Sequence, residues 1–154
     1  MNIIELNEKA VQPGDSRLNN LYKQCRVLVQ ELNRKVLPDP VAEYINRELE
    51  QINTSAFSGN DFRKQLKATQ TRILKLLEKQ LKIVPKNYYR NLWLSIGIAA
   101  FGLPVGLCFG LSLHMPGISG VGVPIGMAIG AAIGSGMDKK ALDEGRQLDI
   151  EIKY

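Results

Sequence analysis

Residues 91–137 read NLWLSIGIAAFGLPVGLCFGLSLHMPGISGVGVPIGMAIGAAIGSGM, a run of 47 positions without Asp, Glu, Lys or Arg that holds 11 of the chain's 14 glycines. A soluble domain of 154 residues has little interior in which to hide such a stretch. One helical crossing of a bilayer takes about 20 mostly apolar residues, so this run has the length of two. His114-Met115-Pro116-Gly117 supplies turn-forming residues near its centre. The spacing predicts a membrane-embedded hairpin within 86–137, its first rod at about 91–113 and its second at about 118–137.

The flanks are of a different class, which the mean hydropathy of -0.10 conceals by averaging. Residues 1–59 carry seven basic and eight acidic groups, residues 60–90 nine and two, and residues 138–154 four and five. The excess of positive charge therefore lies just before the first rod. Basic residues beside a span favour the cytoplasmic side, which keeps the amino terminus inside, and a second crossing returns the carboxyl terminus there too. The expected fold class is all-α: a small cytosolic helical bundle in 1–85, the two-helix transmembrane hairpin, and a cytosolic tail over 138–154. The chain start, Met1-Asn2-Ile3-Ile4-Glu5-Leu6, lacks the layout of a secretory signal, which leaves targeting to the hairpin.

Three helices are legible before the membrane. Leu18, Leu21, Tyr22, Cys25, Leu28, Leu32 and Val36 recur at three- and four-residue steps, giving a first helix at about 15–37 that starts near Asp15 and ends at Leu37-Pro38. Asp39-Pro40 reads as an N-cap followed by a first-turn proline, and Val41, Tyr44, Ile45, Leu49 and Ile52 form the stripe of a second helix at about 40–52. A third, at about 60–84, runs through Phe62, Leu66, Ile73, Leu76, Leu77 and Leu81 with basic residues over much of its remaining surface. That surface reads either as the solvated face of a bundle helix or as an arm on anionic headgroups, where a nearby Lys or Arg contributes about 1 kcal/mol. No aromatic residues interleave with these charges, which argues against nucleic acid as a partner. Three helices of this size bury a small core, so subunit contacts are expected to complete it. In the tail, Leu148, Ile150, Ile152 and Tyr154 alternate with charged residues in the period of a strand; the candidate partner is the segment Ile3–Leu6, with a frayed helix as the alternative.

Tyr88, Tyr89 and Trp93, beside Lys86 and Arg90, make an aromatic belt at the entry to the first rod, and Lys139 and Lys140 mark the end of the second. Pro104 is expected to bend the first rod. Gly102, Gly106 and Gly110 step by four along it, as do Gly122, Gly126, Gly130 and Gly134 along the second, and each row offers a groove in which backbones approach closely. A further row at Gly120, Ala128, Ala132 and Gly136 is displaced by two residues, about 200° around the helix. One partner cannot occupy both faces, so this row predicts a homo-oligomer whose contacts close into a ring. Over Gly102–Gly136 the chain resembles glycine-zipper membrane proteins, small helical hairpins that include oligomeric and pore-forming members. The resemblance implies tight helix assembly.

Catalytic material is sparse. The single histidine, His114, sits in the predicted external turn, which leaves no His-based metal site or Ser-His or Cys-His arrangement within one subunit. Gly120-Val121-Gly122-Val123-Pro124-Ile125-Gly126 has one residue too many for a dinucleotide fingerprint, and Gly117-Ile118-Ser119-Gly120-Val121 fails the nucleophile elbow at its last place. The expectation is a non-enzyme without cofactor or metal. Cys25 and Cys108, on opposite sides of the predicted boundary, are expected as free thiols. The Asn53-Thr54-Ser55 glycosylation triplet falls on the cytosolic side.

No ionisable residue interrupts either rod, which removes the usual mark of a proton relay or coupled transporter. The leading expectation is a homo-oligomeric membrane protein in which the hairpins form a channel or permeabilising assembly. Glycine backbone, Ser95, Ser112, Ser119 or Ser135 would line it, or Ile125, Ile129 or Ile133 would gate it by dewetting, and His114 would sit at its outer mouth or be simply a solvated turn residue. The alternative is a membrane-anchored adaptor whose cytosolic bundle recruits a protein partner.

Overall fold

The computed structural model describes residues 2–7, 15–56, 59–112 and 120–152. The predicted turn at His114–Gly117, together with Leu113, Ile118 and Ser119, lies outside them, as does Tyr154. The chain is mostly helical: α1 (Ser16–Asn33), α2 (Asp39–Asn53), α3 (Gly59–Leu81), α4 (Tyr88–Gly97), a π-helical turn (Ile98–Gly102), α5 (Leu103–Ser112) and α6 (Gly122–Asp143). Two short strands, β1 (Val84–Pro85) and β2 (Gln147–Leu148), pair with each other. Two compact units result, Met1–Val84 with Leu148–Tyr154, and Pro85–Gln147. The boundary differs from the sequence reading at the tail: α6 runs past Met137 to Asp143, and the residues from Leu148 onward belong to the first unit.

In the first unit the helical periodicities hold and the ends shift. Asp15 caps α1, its carboxylate accepting from the Arg17 and Leu18 N–H groups at 3.1 and 3.0 Å. The helix stops at Asn33, four residues short of the expected end, so Val36 leaves the stripe and is fully exposed. The cap of α2 is Pro38 and not Asp39; Asp39 and Pro40 occupy the first turn, where the carboxylate complements the helix dipole. α3 ends at Leu81 because Lys82 turns left-handed (φ 55°), and Val84–Pro85 is strand. Leu18, Leu28 and Leu32 of α1, Ile45 and Leu49 of α2, and Leu66, Ile73 and Leu77 of α3 are buried in one core. Each helix gives it one stripe, which is why period 3.6 was readable. Cys25 lies in this core, and burial pushes its thiol up to about 12, so it stays protonated and inert.

Two extended segments complete the core. At the carboxyl end Leu148, Ile150 and Ile152 are buried while Asp149 and Glu151 face out, the alternation expected of a strand. Its ladder partner is β1 and not Ile3–Leu6. Glu31, itself buried and paired with Arg34 at 2.6 Å, holds the segment by accepting from the Asp149 N–H at 3.2 Å.

The amino-terminal segment is held by three asparagine side chains. Asn33 accepts from the Ile3 N–H at 2.8 Å and donates to the Ile3 carbonyl at 3.1 Å. Asn46 accepts from Ile4 at 2.9 Å and donates to Asn2 at 3.1 Å, and Asn53 accepts from Asn7 at 2.9 Å and donates to Glu5 at 3.0 Å. The Tyr22 hydroxyl donates to the Leu6 and Asn7 carbonyls. A primary amide offers a donor and an acceptor side by side, the pairing a neighbouring strand would give, so an extended backbone lies on helices without a sheet. Ile3 and Leu6 are thereby buried. Asn53, the would-be glycosylation acceptor, is engaged in this contact.

Asn33→Ala is expected to lower the thermal stability of the chain by about 1–3 kcal/mol, because it strips both backbone groups of Ile3 of their partner. Under native conditions the Ile3 amide should then exchange with deuterium faster than in the parent, while the amides of α3 keep their protection.

Candidate helix-packing site

In the second unit, α4, the π turn and α5 form one rod from Tyr88 to Ser112, and α6 runs antiparallel to it. Among the described residues this rod is the one helix long and apolar enough to cross a membrane, with 25 residues and a hydropathy of 2.0. α6 has about sixteen residues from Gly122 to Met137 before its first charge, a rise of about 24 Å. That is short of the roughly 30 Å hydrocarbon core.

Glycine removes the side chain wherever the rods meet. A Cβ on Gly126 would lie 2.5 Å from the Gly97 carbonyl oxygen and 2.8 Å from the Gly102 Cα. On Gly122 it would lie 2.7 Å from the Gly106 Cα, and on Gly134 2.5 Å from the Arg90 Cα. On Gly130 it would meet the backbone of Trp93 and Leu94. Each neighbour is main chain, which cannot swing aside. Gly102, Gly106, Gly110, Gly122, Gly126, Gly130 and Gly134 are all buried.

Gly97 belongs to the same face, although it stands five residues before Gly102 and falls outside a four-residue count. The π turn between them absorbs the extra residue, since a wider turn returns Gly97 to the line of Gly102. Pro104 follows directly. It has no N–H for the Ala100 carbonyl four residues back, and the Leu103 N–H bonds instead to Ile98, five residues back. The irregularity expected at Pro104 thus takes the form of a π turn just before it.

Asp138, the first charge after the apolar run, has a specific task in the structure. It is the next residue after Gly134 in the four-residue row and is buried in α6. Its two carboxylate oxygens accept from the Tyr89 N–H at 3.1 Å and the Arg90 N–H at 2.9 Å. Asn87, the N-cap of α4, has a left-handed backbone (φ 58°) and makes no side-chain cap. One rod therefore caps the other, satisfying orphan donors and placing an anion at the positive end of α4. The signal was available in the sequence: an acid continuing a glycine row.

Among the described residues nothing covers the second small-residue row. Gly120, Ala128, Ala132 and Gly136 are exposed, and a Cβ on Gly120 or Gly136 would meet nothing within 4 Å. Large apolar side chains cover the remaining surface, with Phe101, Leu103, Leu107, Phe109 and Leu111 of the first rod and Val121, Ile125, Met127, Ile133 and Met137 of the second all exposed. Charged and aromatic residues gather at one end of the pair: Lys86, Arg90, Lys139 and Lys140 are exposed, Trp93 is half-buried, and Tyr88 and Tyr89 stand edge to face at 5.2 Å. Ser95 and Ser135 are exposed at separate places on the rods, and Cys108 is a free, exposed thiol. Among the described residues no cluster of His, Cys, Asp or Glu has the make-up of a metal site. No family model matches the chain, and neither does any curated protein or solved structure.

Substitution should separate the two rows. Gly126→Ala or Gly134→Ala forces the rods apart and is expected to destabilise the unit by about 1–3 kcal/mol or more, whereas Gly136→Ala stays within about 0.5 kcal/mol of the parent, read by reversible unfolding in mixed detergent micelles.

Asp138→Ala leaves the Tyr89 and Arg90 N–H groups without their acceptor, at an expected cost of about 1–3 kcal/mol. Asp138→Asn, which keeps one acceptor oxygen, should fall between parent and alanine. Deuterium exchange at those two amides should follow the same order.

Proposed function

We propose that the chain is an integral membrane protein that crosses the bilayer twice and assembles with copies of itself through the outer small-residue face of α6, forming a channel or permeabilising pore. The carrying observation is the apolar surface left bare around the glycine-packed pair, which an aqueous solvent would penalise by roughly 25 cal/mol per Å2. Lipid removes that penalty. The belt at one end of the pair supports a topology with both chain termini on the cytoplasmic side, since Lys86, Arg90, Lys139 and Lys140 lie at a common level with the tyrosines. In this reading the second crossing comprises 118–137, the length the sequence pattern allots to it.

The oligomer follows from the row at Gly120, Ala128, Ala132 and Gly136. In lipid, helices associate by close packing and not by burial from water, so a groove of small residues facing outward is where a second helix gains most. Contacts between unlike faces continue around a ring until they close. A passage through such a ring would be lined by backbone and by Ser95 or Ser135, without fixed charge. The first unit then serves as a cytosolic assembly or gating domain.

Reconstituted into liposomes, the parent should release an entrapped dye, and Ala128→Leu/Ala132→Leu should abolish release while retaining the far-ultraviolet spectrum and unfolding midpoint of the parent. Mass measurement in detergent should give an oligomer for the parent and a monomer for the double variant. An oligomer that never leaks supports instead a membrane-anchored adaptor, and a well-folded parent that is monomeric in several detergents defeats the assembly.

A further inference from the structure

The amino-terminal halves of α1 and α3 enclose a cleft of about 840 Å3, lined by Arg17, Asn20, Leu21 and Gln24 of α1 and by Arg63, Lys64, Lys67 and Gln70 of α3. Four of these eight side chains are cationic and none is acidic. Lys64 pairs with Asp61 at 3.5 Å, both groups largely in solvent, a contact of small energetic weight. Asp15, near the start of α1, is occupied in capping that helix. The residues fall at positions 17, 20, 21 and 24 and at 63, 64, 67 and 70, the three- and four-residue steps of one face of each helix. A face with this spacing in a helical pair is ordinarily apolar; here only Leu21 is.

A second observation concerns a residue that lines the same cleft. Gln70 is 3 % exposed, and its Nε2 group is enclosed without a hydrogen-bond partner. A buried amide donor left unsatisfied costs about 1–3 kcal/mol, which is hard to reconcile with a position that a leucine could fill. An acceptor held in the cleft, met by rotation of the amide, removes that cost. Asn20 and Gln24 add further amides, and the dipole of α1 brings positive potential to its first turn, where Arg17 stands.

We infer that this cleft binds an oligophosphate, a ligand with two or more phosphate groups, whose oxygens are shared among Arg17, Arg63, Lys64 and Lys67 and accept from the Gln70 amide. Arginine forks and lysine ammonium groups suit phosphate oxygens, and four cations on two helices outnumber what a single phosphate would engage. The cations and amides that line the cleft suit a compact headgroup and a free polyphosphate alike, so the chemistry is common to an inositol lipid and to a soluble ligand.

The test is calorimetric titration of the full chain in neutral detergent micelles with inorganic tripolyphosphate and, for comparison, inorganic phosphate. Tripolyphosphate should bind at least about tenfold more tightly than phosphate. Arg63→Ser/Lys67→Ser should weaken tripolyphosphate by about tenfold or more, whereas Lys75→Ser/Lys79→Ser, the same charge change on the same helix outside the cleft, should stay within about threefold of the parent. Gln70→Leu, which keeps the charge, should raise the unfolding midpoint of the free protein and shrink the rise that tripolyphosphate produces. Absence of binding by the parent, equal losses in the two double variants, or an unchanged ligand-induced shift in Gln70→Leu would each overturn the site. A short-chain bisphosphorylated inositol lipid in the micelle, set against its water-soluble headgroup, identifies the source: clear preference for the lipid means a membrane ligand, equal affinity a soluble one.

Discussion

The contact between two main chains at Gly97, Gly102, Gly106, Gly122, Gly126, Gly130 and Gly134 is the constraint on which the second unit rests. Nothing apolar is hidden there in the ordinary sense, because the side chains that would be hidden are missing. What the rods gain is dispersion between closely set backbones, a small term per atom pair that adds up along the helix pair. Such an interface tolerates no added methyl group, and among the described residues it leaves many of the large side chains of both rods exposed. The composition of residues 91–137 and the bareness of the surface therefore share one cause.

Glycine alone would let the rods slide, since a groove four residues deep repeats every turn. Asp138 removes that freedom. A carboxylate that accepts from two consecutive backbone N–H groups fits one register, and a shift by one turn would bring Gly134 or Leu142 to the amino-terminal end of α4 in its place. The same group offsets the open donors at the start of a helix whose own cap residue is left-handed. Packing and register thus come from neighbouring positions of a single four-residue series.

The helices of the first unit were readable because each buries one stripe, and the glycine rows because four-residue spacing is conspicuous. What escaped the reading has physical reasons. Gly97 was out of step because a π turn changes the local period, and no count at 3.6 registers that. Val36 followed the stripe in number, but α1 had already ended at Asn33, whose side chain was needed for Ile3. The asparagine clamps were invisible because Asn33, Asn46 and Asn53 are separated in sequence from the backbone they hold by 30 to 48 residues, and an amide's partner leaves no periodic trace. The carboxyl-terminal alternation of Leu148, Ile150 and Ile152 was legible, yet alternation names a buried face without naming the neighbour. The basic surface of α3 was seen as a whole; that Arg63, Lys64 and Lys67 share a cleft with α1 required coordinates.

The first unit takes residues from both ends of the chain, and Leu148, Ile150 and Ile152 are interior to it. During synthesis these side chains leave the ribosome after both apolar rods of the second unit have emerged. The early helices must wait with an open seam while the rods of the second unit emerge, and closing that seam joins segments far apart along the polymer. Maturation is thereby ordered: the first unit sets only after the rods of the second have been made.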